Sequence, residues 1–242
     1  MSGLSYGQKI SPSPVYLEGV GYVSSPKIKD IFDIGFEQYY TYLALLQLSP
    51  KTYINIEKIQ SDNSKEKILS QPSVFSLIVK DSAMRGEYEK VFSFFLDGYE
   101  IKFSDILQTF QVLQYGNAVG KIDKNTYCGF CKLALELNNI GEKKEEHPPV
   151  FSSERARMLY EKLEESKPKE DTSMKLENVV SALSAKHPSY NLLNIGGLSV
   201  TQVYDQFFRL YVQVPYEINA VRWAAYGENE FNYSFWYQSL QS

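Results

Sequence analysis

The sequence predicts a mainly α-helical protein with a small β component, an α+β chain with a β-hairpin in its N-terminal half and a helical bundle in its C-terminal half. Three observations predict this class. Apolar residues recur at helical spacing in several long stretches, Asp97-Gly98 sits between two β-prone runs, and the pattern after residue 121 is helical throughout. Length and composition agree with it. At 242 residues, 43% hydrophobic and 22% charged, the chain buries a core of its own without disulfides or metal.

Taken in order, residues 1–14 read as a flexible or docking arm, because Ser11-Pro12-Ser13-Pro14 resists regular structure. Val15-Tyr16-Leu17 is a short β-prone stretch followed by glycines at 19 and 21. A long amphipathic helix is predicted from Ser25-Pro26, where Ser caps and Pro suits the first turn. Its apolar positions are Ile28, Ile31, Phe32, Tyr39, Leu43 and Leu46, and Pro50 closes it. Residues 51–72 are polar and broken, with room for one helical stretch, and residues 74–80 read as either a strand or a buried helix. Asp-Gly favours the positive φ angles of a two-residue hairpin turn, so Val91 to Leu96 and Tyr99 to Phe103 are predicted as its strands. Residues 15–120 thus form an α+β half, and residues 121–242 a helical half continuous with it or separate from it.

In the second half Asp123 is placed to cap a helix through Leu133, Leu135 and Leu137. The charged run 141–149 is a solvated loop, Ser152 opens a charged helix, and Ser173 opens another whose apolar face is Leu176, Val179, Val180 and Leu183. Gly196-Gly197 makes a break. Ser199 and Gln202 have the spacing of a capping box, in which each side chain satisfies a backbone amide that the helix start leaves unpaired. The helix they start carries the stripe Val203, Tyr204, Phe207, Leu210, Tyr211 and Val214. Pro215 separates it from a final helical stretch, 217–226, and an aromatic tail.

Composition excludes several functions. The net charge is −4 and no basic cluster tracks a phosphate backbone, so nucleic acid is not an expected partner. No apolar run approaches the ~18 residues that cross a bilayer. The N-terminus is polar and lacks a leader's apolar segment, so a cytoplasmic protein without a membrane partner is expected. No catalytic constellation, cofactor motif or metal-ligand set stands out. The sharpest chemical candidate is Cys128-Gly129-Phe130-Cys131, a spacing that supports thiol–disulfide exchange at a helix start. The polar residues 120–126 in place of a buried strand argue against that chemistry. Zinc would need four ligands, and the two histidines, His147 and His187, both precede proline. Two structural thiols one helical turn apart is the favoured reading, and no enzyme activity is expected.

Binding is therefore the expected activity. With 19 Tyr and 14 Phe, aromatics serve either a core or a wet interface. The candidate partner-binding residues are Tyr204, Phe207 and Tyr211 on the capped helix and Phe231, Tyr233, Phe235, Trp236 and Tyr237 in the tail. Read as a helix, the tail does not bury all its aromatics on one face. It either docks on its own domain or offers an anchor to a partner.

The C-terminal half resembles phage and prophage tail-cluster proteins of the tail assembly chaperone type. The residues that carry the resemblance are Leu135-Glu136-Leu137-Asn138-Asn139, a polar proline-containing insert, Lys175 to Leu183, and Thr201 to Leu210. The segments around Tyr16 to Val20 and Pro26 to Tyr40 look similar too. The resemblance implies a non-enzymatic protein that binds the tape-measure protein or tail-tube subunits in the host cytoplasm during tail assembly. It equally implies a structural subunit of the virion tail, neck or baseplate. The Cys128/Cys131 pair is not part of it, and a CxxC oxidoreductase is the remaining alternative.

Overall fold

A computed structural model describes residues 3–57, 59–141, 174–227, 231–232 and 234–237. The chain is mainly helical, with two small antiparallel sheets in the N-terminal half and helices in the C-terminal half. The expected charged helix opening at Ser152 lies outside the described residues, as does Ser173.

The N-terminal arm is docked through a short helix, α1 (Tyr6–Ile10), whose start has a capping box between Ser5 and Gln8. Glu136 accepts the Leu4 amide at 2.7 Å and pairs with the Lys9 ammonium at 3.2 Å. Thr201 and Gln202 donate to the Lys9 and Ile10 carbonyls at 2.6 and 3.0 Å, and the Tyr6 hydroxyl donates to Asp205 at 2.7 Å. The β-prone stretch is strand β1 (Val15–Leu17), and it forms with β2 (Gly21–Val23) a hairpin not expected from the sequence.

The long helix expected from Ser25-Pro26 to Pro50 is two helices, α2 (Ile28–Ile34) and α3 (Phe36–Leu46). Gly35, at φ +84°, breaks the helical backbone where only glycine turns so cheaply. Pro50 does not close α3. It opens α4 (Pro50–Ile56), where its missing amide costs nothing, behind an Ser49 cap. Residues 51–72 hold a second helix, α5 (Asp62–Leu69), and the ambiguous 74–80 run contains the buried helix α6 (Phe75–Ile78).

The predicted first hairpin strand is wrong. Val91 to Phe95 belongs to α7 (Ser82–Phe95), which Asp81 caps by accepting the Ala83 and Met84 amides. Tyr88, Val91, Phe92 and Phe95 recur at three and four residues and are all fully buried. Burial on a helical face thus overrides the β preference of an aromatic run. Asp97-Gly98 is the turn out of that helix. The hairpin lies one element later, in a three-stranded meander of β3 (Glu100–Ser104), β4 (Thr109–Gln114) and β5 (Asn117–Ile122). Residues 121–122 therefore still belong to a strand.

Phe92 is where the layers meet. Its ring lies edge-on to Phe110 of the meander at 5.0 Å and to Phe130 at 5.1 Å. Phe130 belongs to α8 (Tyr127–Glu136). Each such contact is worth roughly 0.5–1.5 kcal/mol beyond the area buried. The Asp123 carboxylate sits just before α8, accepting the Asn125 and Thr126 amides, while Thr126 takes the cap position. Two buried tyrosine hydroxyls find carbonyl partners here. Tyr88 donates to the Leu45 carbonyl at 2.8 Å, and Tyr39 to the Asn138 side chain at 2.8 Å.

The C-terminal helices join this core. Leu176, Val179, Val180 and Leu183 of α9 (Leu176–Lys186) are buried as expected, and Tyr40 donates to Glu177 at 2.6 Å while accepting the Leu176 amide. Residues 188–194 leave the helical pattern, and Gly196-Gly197 sits in a 3-10 turn. The predicted capping box of Ser199 and Gln202 starts α10 (Val200–Tyr226). This helix runs through Pro215 rather than ending there. Proline's fixed φ is helical, and the Tyr211 carbonyl that loses its donor belongs to an exposed residue.

Two predictions follow from this packing. The β1–β2 turn lies against β5, with the Lys121 amide donating to the Gly19 carbonyl at 2.9 Å, and a Cβ on Gly120 would overlap the Val20 backbone. Gly120→Ala should cost about 2 kcal/mol or more in urea unfolding, whereas Gly7→Ala, in open space on α1, should cost nothing. Burial also pushes the hydroxyls of Tyr39, Tyr88 and Tyr127 upward in pKa, and the Cys131 thiol up to about 12. Raised folded-state values stabilise the fold fully below the unfolded ones, about 9 for the thiol and about 10 for tyrosine. Stability should therefore be flat between about pH 8 and 9 and fall steadily above it, read as Tm between pH 8 and 11; a constant Tm would refute this.

Candidate partner-binding surface

The helix α10 is the element that carries the candidate surface. Its first turns are held in the core by Val200, Thr201 and Val203, all buried. At about 1.5 Å per residue the helix is roughly 40 Å long, so its second half reaches beyond the core that anchors it. From Tyr211 onward only alternate contacts remain, and every residue from Val221 to Tyr226 is exposed.

The predicted binding residues divide into two groups. Tyr204 and Phe207 are half-buried and pack on the core, and the Tyr204 hydroxyl donates to the Met174 carbonyl at 3.1 Å. Burial raises the Tyr204 pKa, so its role in the fold is that of a covered group. Tyr211 is 71% exposed on α10. The tail aromatics form the second group, and Tyr233 lies outside the described residues. Among its described residues the tail forms no α-helix. Residues Phe235–Tyr237 make one 3-10 turn that folds back on α10. Phe231 lies 5.1 Å from the Tyr216 ring and stacks on Trp223 at 5.7 Å, while Trp236 stands 6.4 Å from Tyr216. Arg209 donates to the Trp236 carbonyl at 3.5 Å.

The tail thus docks in part on its own domain. One side of it docks on its own helix, and the other stays in solvent, with Phe235 and Trp236 each 45% exposed and Tyr237 60%. Amphipathic rings of this kind, preorganised against a helix, lose little entropy on binding. Sequence reasoning missed Tyr216 and Trp223, which form the tail's bed. Their seven-residue spacing on one helix face was a legible signal, hidden by the break assigned to Pro215.

Cys128 and Cys131 occupy the first turns of α8, the former exposed and the latter buried. A strand does precede them, which the polar residues 120–126 hid, but β5 is an exposed edge strand of an antiparallel sheet. Both thiols border a cleft of about 730 Å³ that also contains Tyr127, Leu135 and Glu136. Glu136 is already committed there to Leu4 and Lys9, and burial holds Cys131 protonated. Among the described residues no group of three or more His, Cys, Asp or Glu is placed to hold a metal ion. No described helix is long and apolar enough to cross a membrane.

Comparison with known proteins adds one finding. No curated protein and no solved structure matches the chain. Residues 166–241 match the family model of the YomV second domain, a phage/prophage-type family. The matched stretch contains α9, α10 and the aromatic tail, and it fits a phage or prophage origin for this chain.

Proposed function

We propose that the chain is a non-enzymatic protein of phage tail morphogenesis, which binds the tape-measure protein or tail-tube subunits through its C-terminal aromatic surface. The observation that carries this reading is a coincidence of position. The stretch that matches a phage-type family also holds Tyr211, Phe235, Trp236 and Tyr237, large aromatic side chains left in solvent beside a firmly anchored helix. Tyr and Trp dominate binding energy at interfaces because they bury much area with few rotatable bonds. Tape-measure proteins are long, helical and apolar, and an acidic chain with net charge −4 keeps such a partner in solution. The thiol alternative has less support, since Cys131 is buried and its thiol is pushed up to about 12.

Co-expression with the tape-measure protein of the same gene cluster tests this reading. The soluble fraction of the tape-measure protein should rise and the two should co-purify. The double variant Trp236→Ala/Tyr237→Ala should weaken the complex roughly thirty-fold, about 2 kcal/mol, while leaving the fold intact. No gain in solubility together with no co-purification would overturn it. Abundant peptides of this chain in purified particles would replace the assembly factor with a permanent subunit of the tail, neck or baseplate.

A further inference from the structure

Among the described residues, the tail covers one face of α10 and nothing covers the opposite face beyond Val214. Tyr216 and Trp223, the tail's bed, lie two turns apart on one side. Tyr211, Val214, Ile218, Val221 and Ala225 recur at spacings of three and four residues on the other side. Ile218 is 55% exposed and Val221 68%. This apolar stripe continues the face by which Val203, Phe207 and Leu210 pack on the core and α9, and α9 reaches only its beginning. There a groove of about 290 Å³ opens between Ala182 and Lys186 on α9 and Tyr211 and Val214 on α10.

We propose that a second copy of this chain covers this face, with the two α10 helices packed antiparallel along residues 211–225. Sterics select the direction. Up to residue 210 the face is occupied by α9 and the core, so a parallel copy would drive its own α9 into that of the first. An antiparallel copy instead places each body beyond the other's Tyr226. Shape agrees with this direction. A two-fold axis at Ile218 sets the bulky Tyr211 against the small Ala225 of the second copy, and the same contact recurs by symmetry. Charge agrees as well. The exposed Lys186 stands at the groove end of the stripe, while the far end is the helix C-terminus, whose carbonyls carry partial negative charge. The sequence just after it carries Glu228 and Glu230. Antiparallel pairing brings each Lys186 beside the other copy's negative helix end. Parallel pairing would bring the two lysines together.

The face is short, about 22 Å of helix, so the interface belongs to the weak class below about 1,200 Å² in total. This self-association does not depend on the tail-protein reading. Sedimentation equilibrium of the full chain over roughly 1–500 µM should show monomer passing to dimer as concentration rises. Ile218→Asp should abolish the dimer without changing the circular dichroism, because the side chain is exposed. A monomer mass throughout, or a dimer that survives Ile218→Asp, would overturn the proposal. Orientation is read in a Cys128→Ser background. Tyr211→Cys chains should form disulfide-linked dimers on oxidation when mixed with Ala225→Cys chains, but not alone. Cross-linking of Tyr211→Cys with itself would overturn the antiparallel arrangement.

Discussion

Two backbone hydrogen bonds fix where α10 starts against α2, and that starting point decides where the rest of the helix goes. The Ile28 amide donates to the Leu198 carbonyl at 2.9 Å, and the Val200 amide donates to the Pro26 carbonyl at 3.3 Å. They join the starts of α2 and α10, positions where every helix leaves amides without internal partners. Gly196 packs beside this junction, where an added Cβ would come within 3.3 Å of Lys29. The junction also brings Ser199, the cap of α10, opposite Lys27. Because α10 starts there, its first turns lie in the core and its remaining length is committed to leaving it.

The consequence is a division of labour along one helix. Its first half receives the N-terminal arm through Thr201, Gln202 and Asp205, and α9 through Phe207 and Leu210. Among the described residues, its second half is covered mainly by the aromatic tail. Average α-helices span three turns, and a helix that outruns its core must find other apolar surface or stay marginal. Tyr216, Trp223, Phe231 and Trp236 supply that surface locally. Phe235, Trp236 and Tyr237 still leave much of their surface in solvent.

Much of this arrangement was legible in the sequence, and the misreadings share a cause. Leu176, Val179, Val180 and Leu183 announced α9, and Ser199 with Gln202 announced the start of α10, because caps and stripes act within one element. The run Val91 to Phe95 misled because aromatic residues suit strands and buried helices alike, and only Phe110 and Phe130 on distant elements settle which. The last two strands of the meander went unread because their turn is Tyr115-Gly116. Both residues have positive φ, at +50° and +78°, as in an Asn-Gly turn, but tyrosine is rarely placed in that region. Pro215 misled in the opposite sense. Its cost is set by what the Tyr211 carbonyl finds instead of an amide, and exposure makes that cost small. The tail's docking was half legible, since its aromatic content was plain while its bed on α10 depended on an unbroken helix.

Anchored at its start and carried outward, α10 is one continuous helix with two very different stabilities. Native-state hydrogen exchange at low-micromolar concentration measures this directly, because amides report the opening of their own segment. The amides of Ile28, Val200 and Val203 should exchange only with global unfolding, while those of Ile218, Val221 and Ala225 exchange at least about a hundredfold faster. Uniform protection along α10, or rapid exchange at Ile28 and Val200, would contradict the account.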